Sequence, residues 1–205
     1  IGRRTLLALM VGDADNLPEL IKEDGDEAGN GPLMRCAPLG LYLQNLHELK
    51  EKTKLATIMT HNSSTAAWGC VVLTTLVALA LRGVKKQELL PEVLRLHPEM
   101  HEEAKEICEL NFSAIPEAYE FPTSGYTMNT LRIALWAFFT TDNYRECITR
   151  AIYVGGDTDT QAAVAGALAG TYYGIEDISN EFIDALISKE RILGLADQLH
   201  EKVRT

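Results

Sequence analysis

The segment Thr65 to Leu81 is the most apolar in the chain, and it is apolar on every side. A helix without a polar face must be surrounded, either by lipid or by other helices. Its length is marginal for a bilayer, Thr65, Gly69, Thr74 and Thr75 dilute it, and no aromatic belt flanks it. It therefore reads as the central buried helix of a bundle. His61-Asn62-Ser63-Ser64 precede it as capping residues. His61, at its mouth, is either a capping and packing residue or a ligand contact.

The rest of the chain carries the same helical period. Apolar residues recur at helix spacing in Thr5 to Val11, with a further turn at Leu17 to Ile21. They do so again in Leu33 to Leu46 (Pro38 marking a kink or a new start), Glu48 to Thr60, Lys85 to Leu96, Glu99 to Leu110, Met128 to Thr140 and Tyr144 to Tyr153. Thr141-Asp142 reads as the cap of the last of these. Ile178 to Val203 repeats Phe182, Leu186, Leu193, Ala196 and Leu199, a closing helix or pair of helices with a charged outer face. His97 and His101 have the spacing of a metal-binding pair, but Pro98 is expected to open a helix capped by His97, and both read as surface residues. Asn111 to Thr123, with Pro116 and Pro122, has no period and reads as a long connection of a kind that is often functional. No sustained period of two occurs. The expectation is an all-α protein, one domain over residues 1–205.

Charge narrows the function. Nineteen basic against 29 acidic residues leave a net charge of −10, which argues against a nucleic-acid partner, since that affinity comes largely from Lys and Arg on phosphates. Cys36, Cys70, Cys108 and Cys147 are scattered, without a C-x-x-C pair, and read as reduced core thiols of a cytoplasmic protein. No signal peptide is visible, and no membrane role is expected. The chain opens on Ile1-Gly2-Arg3-Arg4, so the natural protein is expected to extend further at its N-terminus.

Two stretches gather polar groups where the backbone must turn. In Gly155-Gly156-Asp157-Thr158-Asp159-Thr160 the glycines permit angles closed to other residues, and the Asp and Thr residues suit a helix start near Asp157 to Asp159. Ala162, Ala163, Ala165, Gly166, Ala167, Ala169 and Gly170 then form a helix of small cross-section, its start expected deep in the protein. Two adjacent buried carboxylates repel unless a cation or strong donors compensate, and carboxylates with a hydroxyl suit magnesium, calcium or manganese. The plain alternative is that Asp157 only caps the helix and Asp159 is a first-turn acid favoured by the helix dipole. An aspartyl phosphatase motif fails, because Gln161 stands where Thr or Val is needed, and an EF-hand fails for want of later ligands. In Ala28-Gly29-Asn30-Gly31-Pro32 the glycines leave bare backbone for a ligand, and the following helix start can hold an anion; an ordinary tight turn is the alternative.

Taken in order, four blocks resemble one family: Gly29-Asn30-Gly31-Pro32-Leu33-Met34-Arg35 with Ala37-Pro38, then Thr60-His61, then Ser124-Gly125-Tyr126 with the Leu131 to Trp136 helix, then Gly155 to Thr160 with its Ala/Gly-rich continuation to Gly174. They look like the all-helical, magnesium-dependent ADP-ribosylglycohydrolases related to the dinitrogenase reductase-activating glycohydrolase. The resemblance implies an orthogonal multi-helix bundle and hydrolysis of the glycosidic bond between ADP-ribose and a protein side chain or related conjugate. It implies two magnesium ions, with manganese possible, bound in part by Asp157, Asp159 and Thr160, with Asp157 and Asp159 catalytic. Gly29, Asn30, Gly31, His61 and Tyr126 would line the substrate cleft. The family's other metal ligands, an acid-acid-Thr cluster near its N-terminus, have no counterpart here, and Asp13, Asp15, Asp24 and Asp26 do not match them. The chain is thus expected to be the C-terminal part of the family domain, lacking its N-terminal helices. A catalytically inactive ADP-ribose-binding or crystallin-like structural relative is the alternative.

Overall fold

The computed structural model describes residues 28–43, 45–116 and 120–204. The expected helices at Thr5 to Val11 and Leu17 to Ile21 lie outside the described residues. Within them the helices are α1 (Leu33–Tyr42), α2 (Leu46–Ile58), α3 (Ser64–Leu81), α4 (Lys86–Leu96), α5 (Glu102–Glu109), α6 (Thr127–Phe139), α7 (Tyr144–Tyr153), α8 (Thr158–Tyr173), α9 (Asn180–Asp184) and α10 (Lys189–Arg204), with 3-10 turns at Phe112–Ala114 and Ile175–Asp177. No strand occurs among the described residues, and the all-α expectation holds.

α3 is the axis of the bundle. Every residue from Ala66 to Ala80 is buried, and α1, α2, α4, α5, α6 and α8 all pack against it. By length and composition this helix could cross a membrane, yet its surface is taken up by protein. Ser63 caps it by accepting from the Ala66 amide at 3.2 Å, a contact worth about 1 kcal/mol. Its threonines are satisfied internally: Thr74 donates to the carbonyl of Cys70 at 3.0 Å and lies 3.2 Å from the Thr53 hydroxyl. Gly40 on α1 lets two helix backbones touch, because a Cβ there would stand 2.5 Å from the Thr74 carbonyl oxygen. α1 runs through Pro38 without a break and stops at Tyr42, short of Leu46.

Several local expectations are corrected. His97 is neither an N-cap nor a surface residue: it ends α4, its amide bonded to the Val93 carbonyl, and α5 begins only after His101. The His97 ring is buried against Trp68, edge-on at 6.1 Å, and its Nε2 lies 2.9 Å from the Thr75 hydroxyl. His101 is exposed, as expected. Asn143, not Thr141-Asp142, caps α7, accepting from the Glu146 amide at 2.9 Å. In the closing helices Leu186, Leu193 and Ala196 are exposed, so the expected inward stripe is not covered by the described residues.

α6 and α8 carry the chain's polar blocks to the same place. Leu131, Leu135 and Phe138 of α6 are fully buried, as their stripe requires, and Trp136 packs beside them against Phe121 at 5.0 Å. The connection before α6 is anchored at Phe112, stacked on Phe139 at 5.6 Å, and returns through Thr123 to Tyr126. α8, narrow as expected, lies against α7, α6, α3 and α1; a Cβ on Gly166 would stand 2.9 Å from Ile148 Cδ1. All four cysteines are buried free thiols.

Candidate active site

The start of α8 is shaped by two glycines with positive φ, Gly155 at 82° and Gly156 at 74°. Gly156 is also squeezed: a Cβ there would fall 2.4 Å from Thr123 Cβ and 2.7 Å from the Thr123 carbonyl oxygen. The turn therefore presses α8 against the loop that leads into α6, and Asp157 meets Asn30 beside it. Asp157 is half-buried, Asp159 exposed, and Thr160 and Gln161 buried. The expected deep start holds for the hydroxyl and not for Asp159.

Asn30 joins the two polar blocks. Its Nδ2 donates to Asp157 Oδ2 at 2.6 Å and to the Thr130 hydroxyl at 2.8 Å. Only the amide NH2 can face a carboxylate, so the charge on Asp157 sets the orientation of Asn30. Thr160 donates to the other oxygen, Asp157 Oδ1, at 2.9 Å. Burial pushes the Asp157 carboxyl up, but the hydrogen bonds it accepts, that from Asn30 before that from Thr160, outweigh it and hold the carboxyl below its ordinary value. Gln161 donates to the Gly155 carbonyl at 3.2 Å, while its buried Oε1 has no partner among the described residues.

The glycine turn is stitched to the loop before α6. Gly29 pairs with Tyr126 in an isolated antiparallel bridge, the Asn30 amide donates to the Gly125 carbonyl at 2.9 Å, and the Thr127 amide to the Ala28 carbonyl at 2.8 Å. Thr127, fully buried, adds its hydroxyl to the carbonyls of Ala28 at 2.9 Å and Gly29 at 2.8 Å. What comes close to the bare glycines is the His61 ring: a Cβ on Gly29 would lie 3.1 Å from its Nε2, and one on Gly31 3.2 Å from its Cε1. His61 thus sits over the turn, with Nδ1 at 2.9 Å from the Thr60 hydroxyl. Tyr126 borders Gly29 through its backbone, whereas its hydroxyl turns away to donate to Glu103 at 2.6 Å.

Gly29, Asn30, Gly31, His61, Tyr126, Asp157, Asp159 and Thr160, spread over 132 positions by number, are therefore brought into one neighbourhood through Asn30, the bridge at Gly29 and the His61 ring. Arg35 and Thr60, which sequence reading placed only within the resembling blocks, also build it, and so do Thr123, Thr127, Thr130 and Glu103, to which sequence reading assigned no site role. The donor set at Asp157 suits a hard cation. Thr160 spends its proton on Asp157 and keeps oxygen lone pairs free, which is the state a hydroxyl ligand needs. No group of three His, Cys, Asp or Glu side chains that could hold a metal exists among the described residues, so this is at most part of a coordination shell.

Known proteins share this sequence and shape. A solved structure titled an ADP-ribosylglycohydrolase-related protein complex superimposes with a TM-score of 0.83 at 37% identity, covering 98% of this chain and 69% of that one. An ADP-ribosylarginine hydrolase of Pseudomonas putida is 32% identical over 184 residues, 87% of this chain and 47% of its own length. An ADP-ribosyl-[dinitrogen reductase] glycohydrolase of Rhodospirillum rubrum is 31% identical over 81% of this chain and 53% of its own. The chain spans about half the length of these curated relatives. Residues 1–205 match the ADP-ribosylglycohydrolase family from end to end, and the chain belongs to that family.

Proposed function

We propose that the protein to which this chain belongs is a metal-dependent hydrolase that cleaves the glycosidic bond between ADP-ribose and a protein side chain or related conjugate. The observation that carries this reading is the Asn30–Asp157–Thr160 hydrogen-bonded group, which sets a carboxylate and a hydroxyl beside a glycine turn roofed by His61. Asp157, Asp159 and Thr160 would hold magnesium, or manganese, through oxygen alone. When bound, paired ions of this kind orient ribose hydroxyls and activate water. The chain's own residues do the rest. Asn30 fixes the Asp157 carboxylate, the Gly29–Gly31 backbone admits the diphosphate closely, and His61 and the Tyr126 backbone close the cleft over it. The acidic net charge agrees with a substrate held by metal and backbone rather than by a basic surface. Four buried free thiols agree with a cytoplasmic setting.

The test is release of free ADP-ribose from ADP-ribosylated protein by the full-length natural protein with magnesium. Asp157→Ala and Asp159→Ala are each expected to lower the rate about 100-fold or more, by loss of metal ligands and of the carboxylates themselves. Undiminished release in both variants overturns the reading. Binding of ADP-ribose without any turnover by the natural protein assigns it instead to the inactive relatives of the fold.

A further inference from the structure

Thr130 stands one turn beyond Thr127 on the same face of α6, and both grip the glycine turn. Thr127 holds its backbone, and Thr130 holds a side chain. The Thr130 hydroxyl, on a fully buried residue, accepts from Asn30 Nδ2 at 2.8 Å, while the same nitrogen donates to Asp157 Oδ2 at 2.6 Å. An amide NH2 carries two hydrogens in one plane, so both are spent and the plane is set. Asn30 Oδ1 is left on the side of Gly125, where a Cβ would lie 3.9 Å from it. The last torsion of Asn and of Asp has no sharply preferred rotamer, so these bonds decide where the groups point. Without Thr130 only the bond to Asp157 would remain, and the amide could turn about it. Asp157 in turn depends on that amide for Oδ2 and on Thr160 for Oδ1, at 2.9 Å. Each of its oxygens gives one lone pair to a protein donor and keeps the other.

We propose that Thr130 is a positioning residue: through Asn30 it fixes the direction in which Asp157 presents its remaining lone pairs, and this rigidity favours magnesium over calcium. Magnesium demands near-ideal octahedral geometry, whereas calcium accepts a larger and more flexible shell of oxygens. A carboxylate held at both oxygens suits the first ion, and one free to rock penalises it more than the second. Thr130 itself is anchored in the core helix, its amide bonded to the Tyr126 carbonyl at 3.1 Å, so the apolar bundle sets the aim of a surface-facing ligand. Thr130 acts through Asn30, not on the ion itself. The consequence for ions rests on the metal-dependent reading above, whereas the locked amide does not.

The experiment is calorimetric titration of the full natural protein with magnesium and with calcium, in the wild type, Thr130→Val and Thr130→Ser. Valine keeps the branched shape and removes the acceptor; serine keeps the acceptor. Thr130→Val is expected to bind magnesium about fivefold more weakly, the equivalent of one ordinary hydrogen bond, with calcium affinity little changed. Thr130→Ser is expected to restore the wild-type ratio of magnesium to calcium affinity. An equal loss for both ions in Thr130→Val, an unchanged magnesium affinity, or a ratio that serine does not restore overturns the positioning role. The amide is read separately, without metal, from the side-chain 15N–1H signals of Asn30, assigned by the pair lost in Asn30→Ser. In the wild type both protons are expected downfield, displaced by their acceptors; Thr130→Val should move one of them upfield and Thr130→Ser return it. Unbonded positions for the wild-type pair overturn the lock, whatever the stability of the variants. If the wild type shows the bonded amide but binds neither ion, the metal-dependent reading falls, and with it the ion preference, while the lock stands.

Discussion

Gly155 and Gly156 make a paired test of how the start of α8 is held. Both have positive φ, 82° and 74°, so alanine at either position carries a left-handed strain of about 1–2 kcal/mol. Only Gly156 is crowded. Nothing lies within 4 Å of a Cβ added at Gly155, whereas one at Gly156 would meet Thr123 at 2.4 Å and the Thr123 carbonyl at 2.7 Å. A backbone atom cannot swing aside like a side-chain tip, so the clash adds about 1–3 kcal/mol. Gly155→Ala is therefore expected to destabilise by about 1–2 kcal/mol and Gly156→Ala by about 2–5 kcal/mol. In thermal unfolding of a chain of this size each kcal/mol corresponds to about 2–4 °C. The push from Thr123 also moves the neighbouring Asp157 off Asn30, so Gly156→Ala alone should weaken magnesium binding markedly. Circular dichroism melts and magnesium titration of the two variants side by side supply the readings. Equal destabilisation, within about 0.5 kcal/mol, would show that the loop yields to the new methyl, and the argument that Gly156 presses α8 into place would be refuted.

Other parts of the molecule give independent outcomes. Asn30→Asp replaces a charge-assisted donor by a third carboxylate at the 2.6 Å contact with Asp157, and urea unfolding in chelator at neutral pH should show a loss of about 1–3 kcal/mol that magnesium partly restores. Gly40→Ala drives a methyl into the Thr74 carbonyl at 2.5 Å and Val77 at 3.0 Å; a loss of about 2–4 kcal/mol is expected in the same assay, and a neutral result would mean that α1 and α3 separate freely. Burial lowers the His97 pKa, with Glu99 opposing and Lys50 and Lys54 adding to it. The unfolded chain therefore takes up a proton before the folded one does. Stability should be undiminished above the ordinary value of 6.5 and fall as the pH drops below it towards the lower folded pKa, and the slope of melting temperature against pH should be shallower in His97→Asn.

Periodicity was enough to read where helices lie among the described residues, though not where each begins and ends, because a helix is decided by neighbours three and four residues away. It was enough for α3, where an unbroken apolar run has only burial as an outlet, and for the start of α8, where two glycines and a cluster of Asp and Thr answer a local backbone need. His97 was misread for a local reason: Pro98 does not begin the next helix but follows the end of α4, and the imidazole turns inward to Thr75. The same limit hid the residues that assemble the site. Asn30 and Asp157 were each legible alone, as a residue between glycines and as a helix-start acid, but their bond joins positions 127 apart in the chain. Thr127 and Thr130 look like ordinary threonines of a helix start, and nothing within a turn of them announces the glycine stretch that they grip. Gly69 illustrates the cause most directly. In the sequence it only weakens an apolar run, yet in the fold a Cβ there would lie 2.6 Å from Thr127 Cγ2. The missing side chain on the core helix is what lets α6 sit close enough for Thr127 to hold the carbonyls of Ala28 and Gly29. The polar site therefore depends on a packing detail of the apolar axis, and any substitution at Gly69 should be felt at Asn30 and Asp157 before it is felt anywhere on the surface.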